Sequence, residues 1–320
     1  MKKKLAPVAI FVYNRLKNTK QVIEALQKNT LARETDIFIF SDGGNTHKNK
    51  KRVDNVRQYL KTIDGFKSVS IIKRETNYYI ERNITEGITT IVDKFGKIIV
   101  LEDDGVTAKG FLTFMNRALD FYEQERKIMH IATFTFIKMP NNYNKTFFWT
   151  YSENGGGGWG TWKNRWDKFT WFQNEEDGLS QLTEKQKRSI ELDGNSKSLS
   201  FLKLTPIPWD ICWNIAINKH DGLSVNSPWP LIKNNGLYNG THFTILNRLT
   251  GKNLFEIELP NYDINDIVFE TNISENNEAK KLLKEFYSRL NKKQINPLLH
   301  YIIRILVLLK ITKLLKRIFS

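Results

Sequence analysis

Apolar strands and amphipathic helices alternate through the first third of the chain. Four runs rich in β-branched and aromatic residues are typical of buried strands, at residues 7–13, 35–44, 68–75 and 97–104. Apolar residues recur at helical spacing in the segments between them, at residues 18–27, 53–60 and 84–92. This alternating order predicts an open, mostly parallel sheet flanked by helices, with ligands bound beyond the carboxyl ends of the strands.

Polar residues follow three of these predicted strands. They come after the first, second and fourth strands: Tyr13, Arg15, Asp42, Glu102, Asp103 and Asp104. Because the carboxyl ends of parallel strands meet at one edge of a sheet, we expect these side chains to share a crevice.

The run IIVLEDD, residues 98–104, leads from a buried strand directly into three consecutive acids. Clustered like charges at such a place are unfavourable unless a positive group lies beside them. Mg²⁺ and Mn²⁺ prefer carboxylate oxygens, so the pattern favours a metal site. The alternative is that Asp104 only stabilises the start of a helix expected over residues 110–125.

Arg15 and Asp42 each allow two interpretations. Asp42 either forms an ordinary Asp-Gly turn or accepts hydrogen bonds from a nucleotide base or ribose. Arg15 is either a solvated cation at the start of a helix or a contact to a phosphate or base. The sequence leaves both alternatives open.

Four consecutive glycines, residues 155–158, precede the tryptophan-rich segment of the chain. They lack the spacing of a phosphate-binding P-loop or a dinucleotide site, but they let a backbone approach a ligand closely or form a flexible lid. Trp159, Trp162 and Trp166 have spacings typical of a helix that packs aromatic rings into the core. The alternative is a sugar-stacking surface beside a mobile loop.

Asp210 lies among aromatic and apolar residues in PWDICW, residues 208–213. Apolar surroundings raise the proton affinity of a carboxylate, as a general base requires. Asp210 could equally cap a helix expected over residues 211–218. His242 is a candidate metal or phosphate ligand, although a lone histidine is usually neither.

Most of the net charge of +15 lies near the C-terminus. Residues 280–320 hold eleven Lys or Arg and one acid, so the other 279 residues carry only +5. The segment from residue 297 is apolar and basic, which is typical of an amphipathic helix on an anionic membrane surface, the alternative being a helix packed on the domain. Charge confined to a tail argues against a nucleic-acid partner.

The ordered set of motifs resembles that of GT-A glycosyltransferases, in particular the N-acetylglucosaminyltransferase I type family and its bacterial relatives in surface-polysaccharide synthesis. Between residues 5 and 245 it comprises PVAIFVYNR, SDGG, IIVLEDDGVTAKGFLTFM, GGGGWGTW, PWDICW and NNGLYNGTHF. The resemblance implies a Rossmann-like, mostly parallel sheet over residues 1–270. A donor half (about 1–125) and an acceptor half (about 126–270) would precede a basic helical tail (271–320).

The resemblance also implies an inverting, metal-dependent transfer of a hexosyl or N-acetylhexosaminyl group. The donor would be a nucleotide-sugar, first of all a UDP-sugar, and the acceptor a glycan or lipid-linked glycan. Asp210 would be the base and Asp104 the ligand of Mn²⁺ or Mg²⁺. The implied donor-binding residues are Tyr13, Arg15, Asp42, Glu102, Asp103, Gly158 and Trp159, with His242 as a further candidate. The family's Trp-Asp-Asp-Trp element is here one residue longer, from Trp209 to Trp213, and lacks the second acid.

Two other classes of protein fit part of the pattern. A carbohydrate-binding protein that lost catalysis would explain the aromatic residues but not the retained acids. A nucleotidyltransferase would need a glycine-rich basic loop after the first strand, and residues 13–17 contain no glycine. The expected location is cytoplasmic, peripheral at the inner face of the membrane through the basic tail. No run of 18 clean apolar residues occurs, so a standard membrane span is not expected.

Overall fold

A central eight-stranded sheet organises the chain in the computed structural model, which describes residues 4–152, 157–236, 257, 259 and 264–292. Its strands are β1 (Val8–Val12), β2 (Asp36–Ser41), β3 (Ser68–Lys73), β4 (Lys97–Glu102), β6 (Ile128–Ala132), β7 (Phe147–Trp149), β8 (Gly157–Trp162) and β9 (Leu223–Asn226). Between β4 and β6, β5 (Gly105–Thr107) pairs with β10 (Ile232–Asn234) in a separate antiparallel ribbon.

The strand order of the large sheet is β3-β2-β1-β4-β8-β6-β9-β7. Strand β1 runs parallel to β2 and β4, and the pairs β2–β3 and β6–β9 are parallel too. Strand β8 is antiparallel to both β4 and β6, and β7 is antiparallel to β9. The carboxyl ends of β2, β1 and β4 therefore open side by side at one edge of the sheet.

Helices cover both faces of the sheet. They are α1 (Leu16–Gln27), α2 (His47–Leu60), α3 (Tyr79–Phe95), α4 (Phe111–Phe121), α5 (Lys163–Trp166), α6 (Glu175–Ser180), α7 (Glu184–Ile190), α8 (Trp209–Lys219) and α9 (Asn277–Lys292). Short 3-10 helices lie at Ala32–Glu34, Ser198–Lys203 and Ile264–Asp266.

Strand β1 divides two cores, because successive side chains of a strand point to opposite faces. Val8, Ile10 and Val12 pack with α1, α2 and α4. Ala9 and Phe11 pack with α3, α5 and α8. Because both faces of β1 are buried, its sequence is a continuous run of hydrophobic residues, as is usual for parallel strands buried on both sides.

The structure confirms the predicted α/β class, with a mainly parallel sheet and flanking helices. The helical interpretation of the tryptophan segment was wrong, since residues 157–162 form β8 and only residues 163–166 are helical. Gly157 and Gly158 have φ of +83° and +72°, and a Cβ on Gly157 would lie 2.7 Å from the Cα of Leu101. Glycine at residue 157 thus allows β8 to approach β4 closely where the register of their pairing is irregular. The spacing of side chains in the sequence does not reveal this irregularity.

Helix α9 packs its apolar face on the domain, with Ala279 and Leu283 fully buried. Residues 293–320, which include the basic amphipathic segment, lie outside the described residues, and so does His242. The predicted membrane contact and the division at residue 270 stay predictions. Within the described residues, no helix has both the length and the apolar character needed to cross a bilayer.

Gly87 in α3 provides a test of how tightly this helix packs on β1. An alanine Cβ there would lie 2.5 Å from Cε1 of Phe11. We expect Gly87→Ala to lower the free energy of unfolding by about 1–3 kcal/mol through overpacking, although alanine favours a helix. Thr90→Ala, at an exposed position of the same helix, should change it little. Urea denaturation of both variants measures the difference, and an equally stable Gly87→Ala would contradict the packing.

Candidate active-site crevice

An ion cluster joins the ends of β1 and β4. The Arg15 side chain, which follows β1, donates from Nε to Asp103 Oδ2 at 3.1 Å and from Nη2 to Asp104 Oδ2 at 2.9 Å. Nη2 also contacts the second oxygen of Asp103. Asp103 and Asp104 are buried, while about 30% of the Arg15 side chain is exposed. The predicted convergence of these strand ends is therefore confirmed for Arg15 and the acidic run.

Two acids of the run 102–104 have raised pKa values. Burial raises the pKa of Asp103 to about 6, even though Arg15 opposes the rise. Burial and the charges of Asp104, Asp103 and Asp210 hold the pKa of Glu102 well above its usual range. These directions indicate a site that favours a further cation, because added positive charge would stabilise the ionised carboxylates.

The hydrogen-bonding capacity of the Asp104 carboxylate is only partly satisfied. Its Oδ2 accepts from Arg15, whereas its Oδ1 is buried and has no hydrogen-bond partner. A buried carboxylate oxygen without a partner is costly, and such an atom in a native structure commonly marks an ion or water site. The Asp104 backbone carbonyl is fixed by the N–H of Asn235 at 2.8 Å.

Gly236 lies against the same carboxylate. A Cβ at this position would come within 2.0 Å of Asp104 Oδ2, so only glycine leaves the carboxylate in its observed place. The Gly236 N–H donates to Asn234 Oδ1 at 2.7 Å, which fixes the turn that follows β10. We did not single out Gly236 from the sequence, where Asn-Asn-Gly has the composition of any turn.

The donor set at Asp104 fits Mg²⁺ or Mn²⁺. Within the described ranges, no three Asp, Glu, His or Cys side chains are grouped to hold a metal by themselves. Mg²⁺ is commonly bound by one or two carboxylates together with water and substrate phosphates, so a large protein ligand set is not required. The unpartnered Oδ1 of Asp104 supplies the hard oxygen that such a site needs.

Asp42 organises the loop beyond β2. Its Oδ1 accepts from the backbone N–H of Gly43 at 2.8 Å and of Tyr78 at 2.7 Å, and burial raises its pKa. Asn77 also donates to the Gly43 carbonyl at 2.6 Å. The carboxylate therefore has the structural role of a turn residue, and its predicted contact with the donor stays a prediction.

Arg57, which the sequence analysis missed, fixes the same edge of the sheet. From α2 its guanidinium donates to the carbonyls of Ser41 and Asp42, each at 3.3 Å, and to that of Arg74 at 2.7 Å. It thereby ties the end of β2 to the end of β3. Beside it, the Arg74 guanidinium lies 4.6 Å from the ring centre of Tyr78.

Tyr13 forms the rim of the crevice on the β1 side. Its hydroxyl donates to Asn45 Oδ1 at 3.0 Å, and its backbone N–H is hydrogen-bonded to Asp103. Asn14 donates to Asn49 at 3.0 Å. The loops after β1 and β2 are thus joined by side-chain hydrogen bonds, and the donor contact predicted for Tyr13 stays a prediction.

Trp159 lies in the core beneath the crevice. It is fully buried and stacks on His130 and Trp209, with ring centroids 4.9 and 5.6 Å apart. Trp162 and Trp166 are also buried, which confirms the core interpretation of the tryptophan segment. Trp159 thereby joins β8 to α8, and the donor contact predicted for it stays a prediction.

Gly158 joins β8 to the segment after β6. Its carbonyl accepts from Thr133 N at 3.1 Å and from Thr133 Oγ1 at 2.5 Å. A Cβ on Gly158 would lie 2.7 Å from Ile232 Cδ1, so glycine lets β10 close over this strand. The contact with a donor predicted for Gly158 stays a prediction.

Asp210 lies in the first turn of α8, whose cap residue is Pro208. Asp210 is therefore not the cap that the sequence also allowed. The helix dipole favours a negative charge at this end. Its Oδ1 accepts from the backbone N–H of Ile211 at 3.0 Å, and its charge raises the pKa of Glu102. Asp210 and Glu102 therefore lie close enough for their charges to interact, and both line one pocket.

A pocket of about 610 Å³ opens beside these two acids, within the range of small-molecule sites. The segments that form it are α3, the strand ends after β4, β6 and β7, the 198–211 region and α9. Its lining residues are Ile80, Glu81, Glu102, Phe134, Phe136, Tyr151, Ser152, Ser198, Phe201, Leu204, Thr205, Pro206, Pro208, Trp209, Asp210, Ile211 and Tyr287.

No protein-family model matches this chain, and no curated protein sequence matches it. Similar solved structures include TarS from S. aureus in complex with UDP-GlcNAc, with a TM-score of 0.30 and 16% identity over 43% of this chain and 36% of that one. Another TarS structure has a TM-score of 0.32 and 13% identity over 50% and 47% of the two chains. The mannosyltransferase PcManGT from Pyrobaculum calidifontis, in complex with GDP-Man and Mn²⁺, has a TM-score of 0.33 and 11% identity over 51% and 48%.

This chain therefore spans less than half the length of each of these solved chains. Likenesses of this size establish neither a family nor a function. The functional interpretation rests on the side chains of the crevice.

Proposed function

We propose that the protein is a metal-dependent glycosyltransferase that moves a hexosyl or N-acetylhexosaminyl group from a nucleotide-sugar, first of all a UDP-sugar, to a glycan acceptor. The observation that carries the proposal is the unpartnered Oδ1 of Asp104, buried next to Arg15 at the carboxyl end of β4. Ligands of open α/β sheets bind at this edge. The resemblance of the motifs to GT-A enzymes supports the same assignment.

On the donor side, Asp104 would hold Mn²⁺ or Mg²⁺, which would neutralise the departing diphosphate. Arg15, part of whose side chain is exposed, adds a positive charge beside the same phosphates. Asp103 positions Arg15 through two contacts. Gly236 keeps the Asp104 carboxylate in place.

On the acceptor side, Asp210 is the base. It takes the proton of an acceptor hydroxyl, the hydroxyl oxygen bonds to the anomeric carbon, and the bond from that carbon to the diphosphate oxygen breaks. Attack opposite to the leaving group inverts the anomeric centre.

The donor side is tested by measuring the affinity for UDP with and without Mn²⁺ by isothermal titration calorimetry. We expect Mn²⁺-dependent binding, and a more than tenfold weaker affinity in Asp104→Asn because the charged ligand is lost. Asp36→Asn is the matched control, since Asp36 lies at the opposite end of β2 and pairs with Lys67. UDP binding that is unchanged without Mn²⁺ and in Asp104→Asn would refute the assignment of the acidic run as the metal and diphosphate site.

The role of Asp210 is tested by the variant Asp210→Asn. We expect it to retain Mn²⁺-dependent UDP binding and to lose transfer to an acceptor by about 10²-fold or more, because the base is removed. Asp221→Asn, in the turn after α8, should keep full activity. Chromatography of the products measures both. An Asp210→Asn variant that transfers as fast as the parent would exclude this carboxylate as the base.

The variant Gly236→Ala tests whether UDP binding depends on the position of the Asp104 carboxylate. The added methyl group would have to displace the Asp104 carboxylate, so metal-dependent UDP binding should fall at least tenfold. Asn235→Ala removes the hydrogen bond to Gln21 yet leaves that space open, and it should bind nearly as the parent does. Equal affinities for UDP in the two variants would show that UDP binding does not depend on the observed position of the Asp104 carboxylate.

A carbohydrate-binding protein without catalysis is the second candidate, favoured by the apolar and aromatic lining of the pocket. It predicts saccharide binding in a protein that neither binds UDP nor turns over a nucleotide-sugar. The same UDP titration therefore distinguishes the two functions.

A further inference from the structure

Tyr79, the first residue of α3, has a left-handed backbone conformation with φ of +57°. A bulky side chain is rarely found in this conformation, because its Cβ lies too close to the backbone. Hydrogen bonds hold the turn in place. The Tyr79 N–H donates to Asn77 Oδ1 at 3.2 Å and also interacts with the Asp42 carboxylate, which accepts from the Tyr78 N–H at 2.7 Å. The strained backbone is therefore fixed by residues at the edge of the crevice.

No described side-chain contact compensates the strain at Tyr79. Three other non-glycine residues of the described chain have a positive φ, namely Leu192, Asp193 and Asp221. Leu192 is buried, and the two aspartates accept hydrogen bonds from side chains of other segments. The Tyr79 side chain is 62% exposed and has no hydrogen bond or ring contact with another described residue. A strained residue without a packing role points to a role in function.

The neighbouring tyrosine shows how a ring of this segment is held when it has a structural role. The guanidinium groups of Arg74 and Arg82 lie 4.6 and 3.9 Å from the centre of the Tyr78 ring. Cations beside an aromatic ring stabilise its position. The Tyr79 ring has no such neighbour among the described residues and is open to a ligand.

The two residues that follow Tyr79 place it at the mouth of the pocket. Ile80 and Glu81 line the same pocket as Glu102. The Glu81 carboxylate has no described hydrogen bond or ion pair. An aromatic ring packs against the apolar C–H face of a sugar ring, and a carboxylate accepts hydrogen bonds from sugar hydroxyls. The two side chains together therefore fit a sugar ring.

We propose that Tyr79 stacks on the sugar ring of the nucleotide-sugar and that Glu81 accepts hydrogen bonds from the hydroxyls of that sugar. This inference rests on the proposed function and names residues that would select the transferred sugar. The diphosphate is proposed to lie at Asp104, and Glu102 of the same acidic run lines the pocket. A sugar attached to that diphosphate would thus extend from the crevice toward α3.

The ring is tested by Tyr79→Ala, Tyr79→Gly and Tyr79→Phe. Isothermal titration calorimetry with Mn²⁺ measures the affinities for UDP, UDP-glucose, UDP-galactose, UDP-N-acetylglucosamine and UDP-N-acetylgalactosamine. For the UDP-sugar that the parent binds most tightly, we expect the Ala and Gly variants to lose about fivefold or more in affinity, but to change for UDP by less than about twofold. Tyr79→Phe keeps the ring and should stay within about threefold of the parent for both ligands.

Urea denaturation of the same variants separates the strain from the ligand contact. Glycine relieves the left-handed conformation, whereas alanine keeps a Cβ in it. We therefore expect Tyr79→Gly to unfold at a higher urea concentration than the parent and than Tyr79→Ala. A variant that is more stable but binds the UDP-sugar more weakly is the signature of a residue retained for function. A Tyr79→Gly variant no more stable than Tyr79→Ala would contradict the strain on which the inference rests.

The carboxylate is tested by Glu81→Gln. We expect this variant to bind the same UDP-sugar about fivefold or more weakly and UDP with nearly the parent affinity, because hydrogen bonds to a charged group are lost. Asp221→Gly is the matched control. It also replaces a residue of positive φ, but in the turn after α8 and outside the pocket lining. Its affinities for UDP and for the UDP-sugar should match those of the parent.

UDP serves as the reference ligand that separates this inference from the donor site. Equal losses for UDP and the UDP-sugar in Tyr79→Ala would place the ring against the nucleotide and overturn the inference. Unchanged affinity for the UDP-sugar in Tyr79→Ala would overturn it too. So would a parent protein that binds UDP but none of the four UDP-sugars, because a sugar with a stacking partner should not abolish binding. A parent protein that does not bind UDP would instead refute the donor site itself.

Discussion

The pairing of Arg15 with Asp103 and Asp104 is the interaction on which the rest of the crevice depends. It joins β1 to β4 at their carboxyl ends, and it compensates part of a cluster in which Glu102 and Asp210 add further carboxyl groups. Burial makes it more costly than in water to keep the three carboxylates of the acidic run ionised close together. Such a cluster favours an additional cation, which supports the metal site proposed at Asp104.

The aromatic core holds the other side of the crevice in place. Trp159 of β8 stacks on Trp209 at 5.6 Å, and Trp213 in the same helix donates to His130 at 3.1 Å. Helix α8 is thereby fixed to the sheet at its first two turns, and Asp210, adjacent to Trp209, is fixed with it. The tryptophans thereby fix the position of Asp210, the residue proposed as the base, without contacting the substrate themselves in that proposal.

The sequence predicted those parts of the site that follow from local pattern and from a rule of topology. Alternating strands and helices placed Arg15 and the acidic run at one sheet edge, and the structure confirms their contact. Pattern could not place Gly236 against Asp104 or Arg57 across the ends of β2 and β3, because these contacts join distant segments and leave no periodic signal. For the same reason tryptophans at spacings of three and four suggested a helix, while tertiary pairing with β4 makes β8 a strand.

The two halves of the site depend on different forces. On the side of Asp104 and Arg15, charge would act on a ligand over several ångströms, and salt would weaken that interaction by screening it. On the side of Phe201 and Leu204, exposed apolar side chains line the pocket, and apolar contact acts at short range and does not depend on screening. Glu102 and Asp210 lie where these halves meet. In the proposed function, a carboxylate at that boundary would accept the proton of an acceptor hydroxyl while positive charge neutralises the donor on the other side.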